Sequence, residues 1–205
     1  MSVTRRAALL GVTAILLSAC VGGGTFETAY DPLPADVSKS WRLAEVRVVV
    51  PESLSVSEAK SLLPSADIVW REDPAGDRYA QVAKIMDDAV TRGASGLRGS
   101  RPVVIDVKVT RFHALTFEAE QRGQNWGVHN IQFVAQVSDA RTGEVLVPAT
   151  DIRAELPALS GDQMRAARQK GVTQKSMITN HVAKTVAGWL GTGPDNRGKF
   201  TRQGN

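Results

Sequence analysis

The sequence has a single cysteine and three histidines among 205 residues, and each shortage closes off a class of protein. One cysteine cannot build a disulfide scaffold. The histidines, His113, His129 and His181, lack the close spacing of a metal-binding helix or knuckle, so no metal is expected. Charge of one sign is also scarce: 25 Lys+Arg stand against 21 Asp+Glu, a net charge of +4, two of which are Arg5 and Arg6. A nucleic-acid partner is therefore not expected. The apolar run Ala7–Leu17 is too short for the ~20 residues a membrane-crossing helix needs. No Gly-x-Ser-x-Gly occurs, and the stretch Arg92-Gly93-Ala94-Ser95-Gly96-Leu97-Arg98-Gly99 lacks the Gly-Lys-Ser/Thr ending of a phosphate loop. The expectation is a protein without catalytic motif or cofactor.

What is present suits one compact domain, with 42% hydrophobic and 22% charged residues. The N-terminus has the order of a secretory signal: a short basic stretch to Arg6, the apolar run to Leu17, then small residues. The string Leu17-Ser18-Ala19-Cys20 resembles the lipobox of bacterial lipoproteins. That resemblance implies a signal peptide over 1–19, recognition of Leu17, Ser18 and Ala19 by the lipoprotein signal peptidase, and a Cys20 thiol alkylated by a diacylglyceryl group. It also implies a covalent lipid anchor in the membrane. The chemistry requires sulfur because a thiolate is the strong nucleophile among side chains. Val21, where an Asp would favour inner-membrane retention, resembles the pattern exported to the outer membrane, with the domain facing the periplasm. Thr4-Arg5-Arg6-Ala7-Ala8-Leu9-Leu10 resembles a twin-arginine signal as well, so both export routes stay open.

Residues 20–40 read as the lipidated Cys and a flexible tether, because Gly22-Gly23-Gly24, Pro32 and Pro34 interrupt any apolar period. Extended, such a tether reaches roughly 70 Å. A single α+β domain is expected over 41–190 and a disordered tail over 191–205. Val46–Val50 reads as a strand. Ser55-Val56-Ser57-Glu58 has the spacing of a capping box and predicts a short helix through Leu62-Leu63. Ile68–Trp70 predicts a short strand, and Tyr79, Val82, Met86, Ala89 and Val90 predict an amphipathic helix ended by Gly93, Gly96 and Gly99.

Period two over 103–117 predicts one long strand with His113 on its core face and with Glu118 and Glu120 on one face of the same strand. Strands near 128–139 and from Glu144 to Ala154 follow, joined by the turn Arg141-Thr142-Gly143. A polar helical region begins at Gly161, and the last helix carries Ile178, Val182, Val186 and Trp189 on one face. The fold class is a two-layer α+β sandwich, with a mixed or antiparallel sheet and helices on one face. The element order resembles small α+β envelope lipoproteins of unknown function and accessory lipoproteins of outer-membrane assembly.

Three features read as contact points or as ordinary surface. Trp126, on the polar tip between two strands, is either a docking residue for an envelope protein or folded back on the sheet. Arg165, Arg168 and Lys175 are either a surface for anionic lipid or a solvated helix face. Glu118 and Glu120 are an acid pair or edge charges. The leading expectation is a lipid-anchored envelope protein binding a protein partner or an amphiphile, in envelope assembly or maintenance. The alternative is a tethered hydrolase of cell-wall or lipid material, using His113 or His129.

Overall fold

A computed structural model describes residues 25–123 and 127–201. Leu17, Ser18, Ala19, Cys20 and Trp126 lie outside the described residues. The elements run β1 (Thr25–Ala29), α1 (Ala35–Ser38), β2 (Trp41–Val49), β3 (Ile68–Val69), α2 (Arg78–Gly93), β4 (Arg101–His113), α3 (Phe117–Glu120), β5 (Gly127–Asp139), β6 (Val145–Ala154), β7 (Leu156–Ala158), α4 (Gly161–Gln169), α5 (Gln174–Trp189) and β8 (Gly198–Thr201). The eight strands form one open mixed sheet in the order β2-β4-β5-β6-β1-β8, with β3 on β4 and β7 on β5. β2 and β3 run parallel to β4, and the remaining pairs are antiparallel. The fold class is α+β, as the element order predicts.

Alternation places the core. Ile105, Val107 and Val109 of β4 and Ile131, Phe133, Ala135 and Val137 of β5 are buried in one cluster with Val82, Met86 and Val90 of α2 and Ile178, Val182 and Val186 of α5. On β4 and β5 the opposite face carries Asp106, Lys108, Gln132 and Gln136, none of them buried. The β5–β6 turn is fixed by Asp139, whose carboxylate accepts from Arg101 Nε (2.6 Å) and from the backbone N–H groups of Arg141 and Thr142. These donors, the guanidinium first, hold its pKa down at about 2. Gly143 follows with φ +75°, which a residue with a Cβ rarely adopts.

Four expectations are corrected. The stretch read as tether enters the sheet: β1 pairs with β6, and Tyr30 is buried. The stretch read as a disordered tail returns as β8, with Thr25↔Thr201 to Thr28↔Gly198 in register. The Tyr30 hydroxyl donates to Asp195 Oδ1 (3.0 Å), and Arg197 sits over its ring at 5.5 Å. The folded body therefore extends past 41–190 on both sides. The capping-box helix does not form. Ser55 binds Asp67 through its backbone N–H and hydroxyl, Val56 bridges Ile68 in parallel, and Glu58 pairs with the buried Arg78 instead (2.7 and 3.2 Å).

The fourth correction concerns the long strand. β4 bulges between Val109 and Arg111 against β5, leaving Thr110 as the extra residue. Parity reverses, so Phe112 is fully buried against Trp70 (5.6 Å, edge-on), and His113 turns to the outer face beside Arg111. The strand stops at His113. Thr116 Oγ1 accepts from Ala119 N at 3.1 Å and caps the short helix α3, which carries Glu118 and Glu120.

Candidate functional site

A partly enclosed site lies on the outer sheet face, where β4 ends and β5 begins. It is a cavity of about 130 Å³. Leu62, Leu63, Phe26, Leu115 and Val128 supply apolar lining, and Arg111, His113 and Asn130 supply polar lining. The strands place the polar group: after the bulge, Arg111 and His113 share the outward parity of Asn130, their neighbour across the β4–β5 ladder. The segment 61–64 closes the side, held by Thr116 Oγ1 donating to the Ser61 carbonyl at 2.8 Å. Leu62 packs into a small satellite cluster with Leu115, Ala119 and Ala158.

Within the pocket, Arg111 donates through Nη2 to His113 Nδ1 at 3.0 Å, so Nδ1 is the acceptor of that bond. Nη1 lies 3.9 Å from Asp67 Oδ1. Arg111 Nε is buried and has no partner among the described residues. A buried donor left unpaired costs free energy that a ligand oxygen would recover. An apolar lining with one convergent cationic donor is the composition of an amphiphile site, and the cavity lies below the ~300 Å³ of drug-sized pockets, so it admits a branch of a ligand.

The other expected site residues are dispersed. His129 is fully buried on β5 opposite Leu156, with neither ring nitrogen hydrogen-bonded among the described residues. Burial, with opposition from His181 and His113, pushes its pKa down to about 3. His181 lies 2.9 Å from Thr28 Oγ1, whose own proton goes to the Glu155 carbonyl. Desolvation, then Lys184, pushes His181 down to about 4. Among the described residues no group of His, Cys, Asp and Glu could hold a metal ion.

The basic helix surface is also corrected. Arg168 is engaged by Glu120 (2.8 Å) and Glu72 (2.9 Å), Lys175 by Asp73 (2.8 Å), and Arg165 by Asp162. Glu120 thus belongs to an ion-pair network rather than to an acid pair with Glu118. Glu72 also accepts from the first N–H groups of α5, Gln174 N and Lys175 N. Sequence reading did not find Arg111 or the 61–64 segment, because the bulge that turns Arg111 outward has no local signature.

The described residues thus form an α+β domain with an open mixed sheet, helices on one face and a small amphipathic pocket on the other. The chain belongs to a family of unknown function, DUF6778, whose model matches residues 41–205. No curated protein matches the sequence. Among solved structures, a PelC dodecamer from Paraburkholderia phytofirmans is similar over 82% of this chain and 99% of its own, at 11% identity and TM-score 0.34. A DUF330 protein from Xanthomonas campestris is similar over 80% and 92%, at 17% identity and TM-score 0.47. A candidate lipoprotein from Caulobacter crescentus is similar over 78% and 98%, at 14% identity and TM-score 0.34. Likeness at this level assigns no role. Among the described residues no helix is long and apolar enough to cross a membrane.

Proposed function

We propose that this protein is a lipid-anchored component of the cell envelope, attached through Cys20, whose domain binds an amphiphile or a protein partner in envelope assembly or maintenance. The observation that carries the anchor is the string Leu17-Ser18-Ala19-Cys20 behind a basic stretch and a short apolar run. Two or three acyl chains, at ~0.8 kcal/mol per buried methylene, suffice for stable attachment without a protein span. Val21 favours the outer membrane, with the domain facing the periplasm. Support for an amphiphile comes from the apolar lining around the unpaired Arg111 Nε. Trp126 is the partner-contact residue in this reading. A tethered hydrolase would need a histidine held against a nucleophile or carboxylate. Among the described residues His129 has no hydrogen-bond partner on either ring nitrogen, and His113 Nδ1 accepts from the Arg111 guanidinium.

The test is mass spectrometry of the membrane-extracted protein beside its Cys20→Ala variant, with membrane fractionation. The expected result is a triacylated N-terminus at Cys20 in the outer-membrane fraction and loss of both modification and attachment in the variant. A wild-type chain that keeps residues before Cys20, or that is soluble and unmodified, overturns the proposal.

A further inference from the structure

The pocket of this domain includes a residue that lies close along the chain to the anchor. β1 opens at Thr25, and the next residue, Phe26, lines the pocket beside Leu62 and Leu63. Cys20 precedes Thr25 by five peptide steps, which span at most about 18 Å when fully extended. The 20–40 tether expected from composition would have let the domain stand well away from the bilayer. Pairing of β1 with β6 and β8 removes that freedom.

The same region exposes apolar side chains where a monomer in water gains nothing from them. Leu63 is 65% exposed and Phe117 41%. The two segments are joined, since Thr116, next to Phe117, bonds to the Ser61 carbonyl, two residues before Leu63. A shallow depression alongside is lined by Lys60, Leu62, Glu118 and Arg122. Lys60 and Arg122 make no ion pair among the described residues, and Glu118 is the acidic residue of the same lining. The cations that do carry carboxylate partners, Arg168 and Lys175, belong to a different cluster on α4 and α5. Exposed apolar residues flanked by unpaired cations match the boundary between acyl chains and anionic headgroups.

Resting on the Cys20 anchor proposed above, we infer that the outer sheet face around Leu63 and Phe117 lies against the lipid bilayer. The helix layer, α2 and α5, then faces away from it. Arg111 is the residue in the pocket positioned to meet a headgroup oxygen.

The lone cysteine makes this testable. Once Cys20 is a thioether, a newly introduced cysteine is the chain's single labelable thiol. Lipidated full-length Leu63→Cys and Phe117→Cys variants, each carrying an environment-sensitive fluorophore, are reconstituted into vesicles of phosphatidylethanolamine and phosphatidylglycerol containing nitroxide-labelled lipid. Lys84→Cys, on the exposed side of α2, is the reference.

The expected result is quenching at 63 and 117 about threefold or more above that at 84, as for side chains seated at the headgroup boundary. Equal, weak quenching at all three sites, with the protein floating with the vesicles and acylated at Cys20, overturns the inference and leaves the anchor standing. A protein that neither floats nor carries acyl chains overturns the anchor itself. A label at 63 shielded without vesicles, in a dimer seen by light scattering, assigns the face to a second copy and also overturns the inference.

Discussion

His129 shows how one residue departs from its local pattern. Its parity on β5 matches Ile131 and Phe133, so alternation places it in the core, yet alternation cannot supply partners for its two ring nitrogens. The imidazole stays neutral in the folded state, with a pKa of about 3. In the unfolded chain it titrates near 6.5. The unfolded state then binds more protons than the native state at every pH between these values, so stability falls as pH drops through 6.5 towards 3. For this residue the loss between pH 7 and pH 5 is about 2 kcal/mol. His129→Leu removes that dependence and two buried unpaired atoms. Urea unfolding at pH 7 and pH 5 is expected to show a more stable variant, with the gain larger at pH 5. An equal gain at both would mean that the histidine is not held neutral.

At the scale of elements, the sequence was legible where one period dominates and illegible where a partner from elsewhere competes. Tyr79, Val82, Met86 and Val90 alone indicate α2, because their spacing is satisfied by one face of one helix. Glu58 is different: its spacing from Ser55 fits a capping box, but Arg78, buried at the start of α2, takes its carboxylate. An uncompensated buried guanidinium costs more than one short helix yields. The bulge in β4 is of the same kind, since the extra residue is defined only against β5. Contact between α2 and α5 was likewise hidden. A Cβ placed on Gly93 would lie 2.6 Å from the Ala183 carbonyl and 2.7 Å from Val186 Cβ, so the two helices meet at a point that admits no side chain. Gly93→Ala is expected to force them apart and lower stability by about 2 kcal/mol. Denaturant unfolding checks this, and an unchanged midpoint would place the helices further apart than described.

At the scale of the molecule, the ends of the chain seal the sheet that the middle builds. β1 covers the edge of β6, β8 covers β1, and the tail is held by Tyr30 through Asp195. A chain trimmed to 41–190 would bare the β6 edge and lose the buried Tyr30. It is expected to be less stable than residues 25–201 by about 3 kcal/mol or more, and to associate through the exposed edge. Thermal unfolding with light scattering checks both effects. Equal stability would show that the ends are accessory.

By itself the sequence determined the α+β class, the main helices and strands, and the order of basic, apolar and small residues before Cys20. Each of these depends on neighbours within a few residues, where composition and period are sufficient. Only the tertiary structure decided that the supposed tether and tail are strands, that Arg111 rather than His113 carries the unpaired donor of the pocket, and that Arg168 and Lys175 are neutralised. Those outcomes rest on pairings between segments distant in sequence, such as Thr25 with Thr201 and Glu72 with Arg168. Their free energy exists only once the chain has closed on itself, so no local pattern records it.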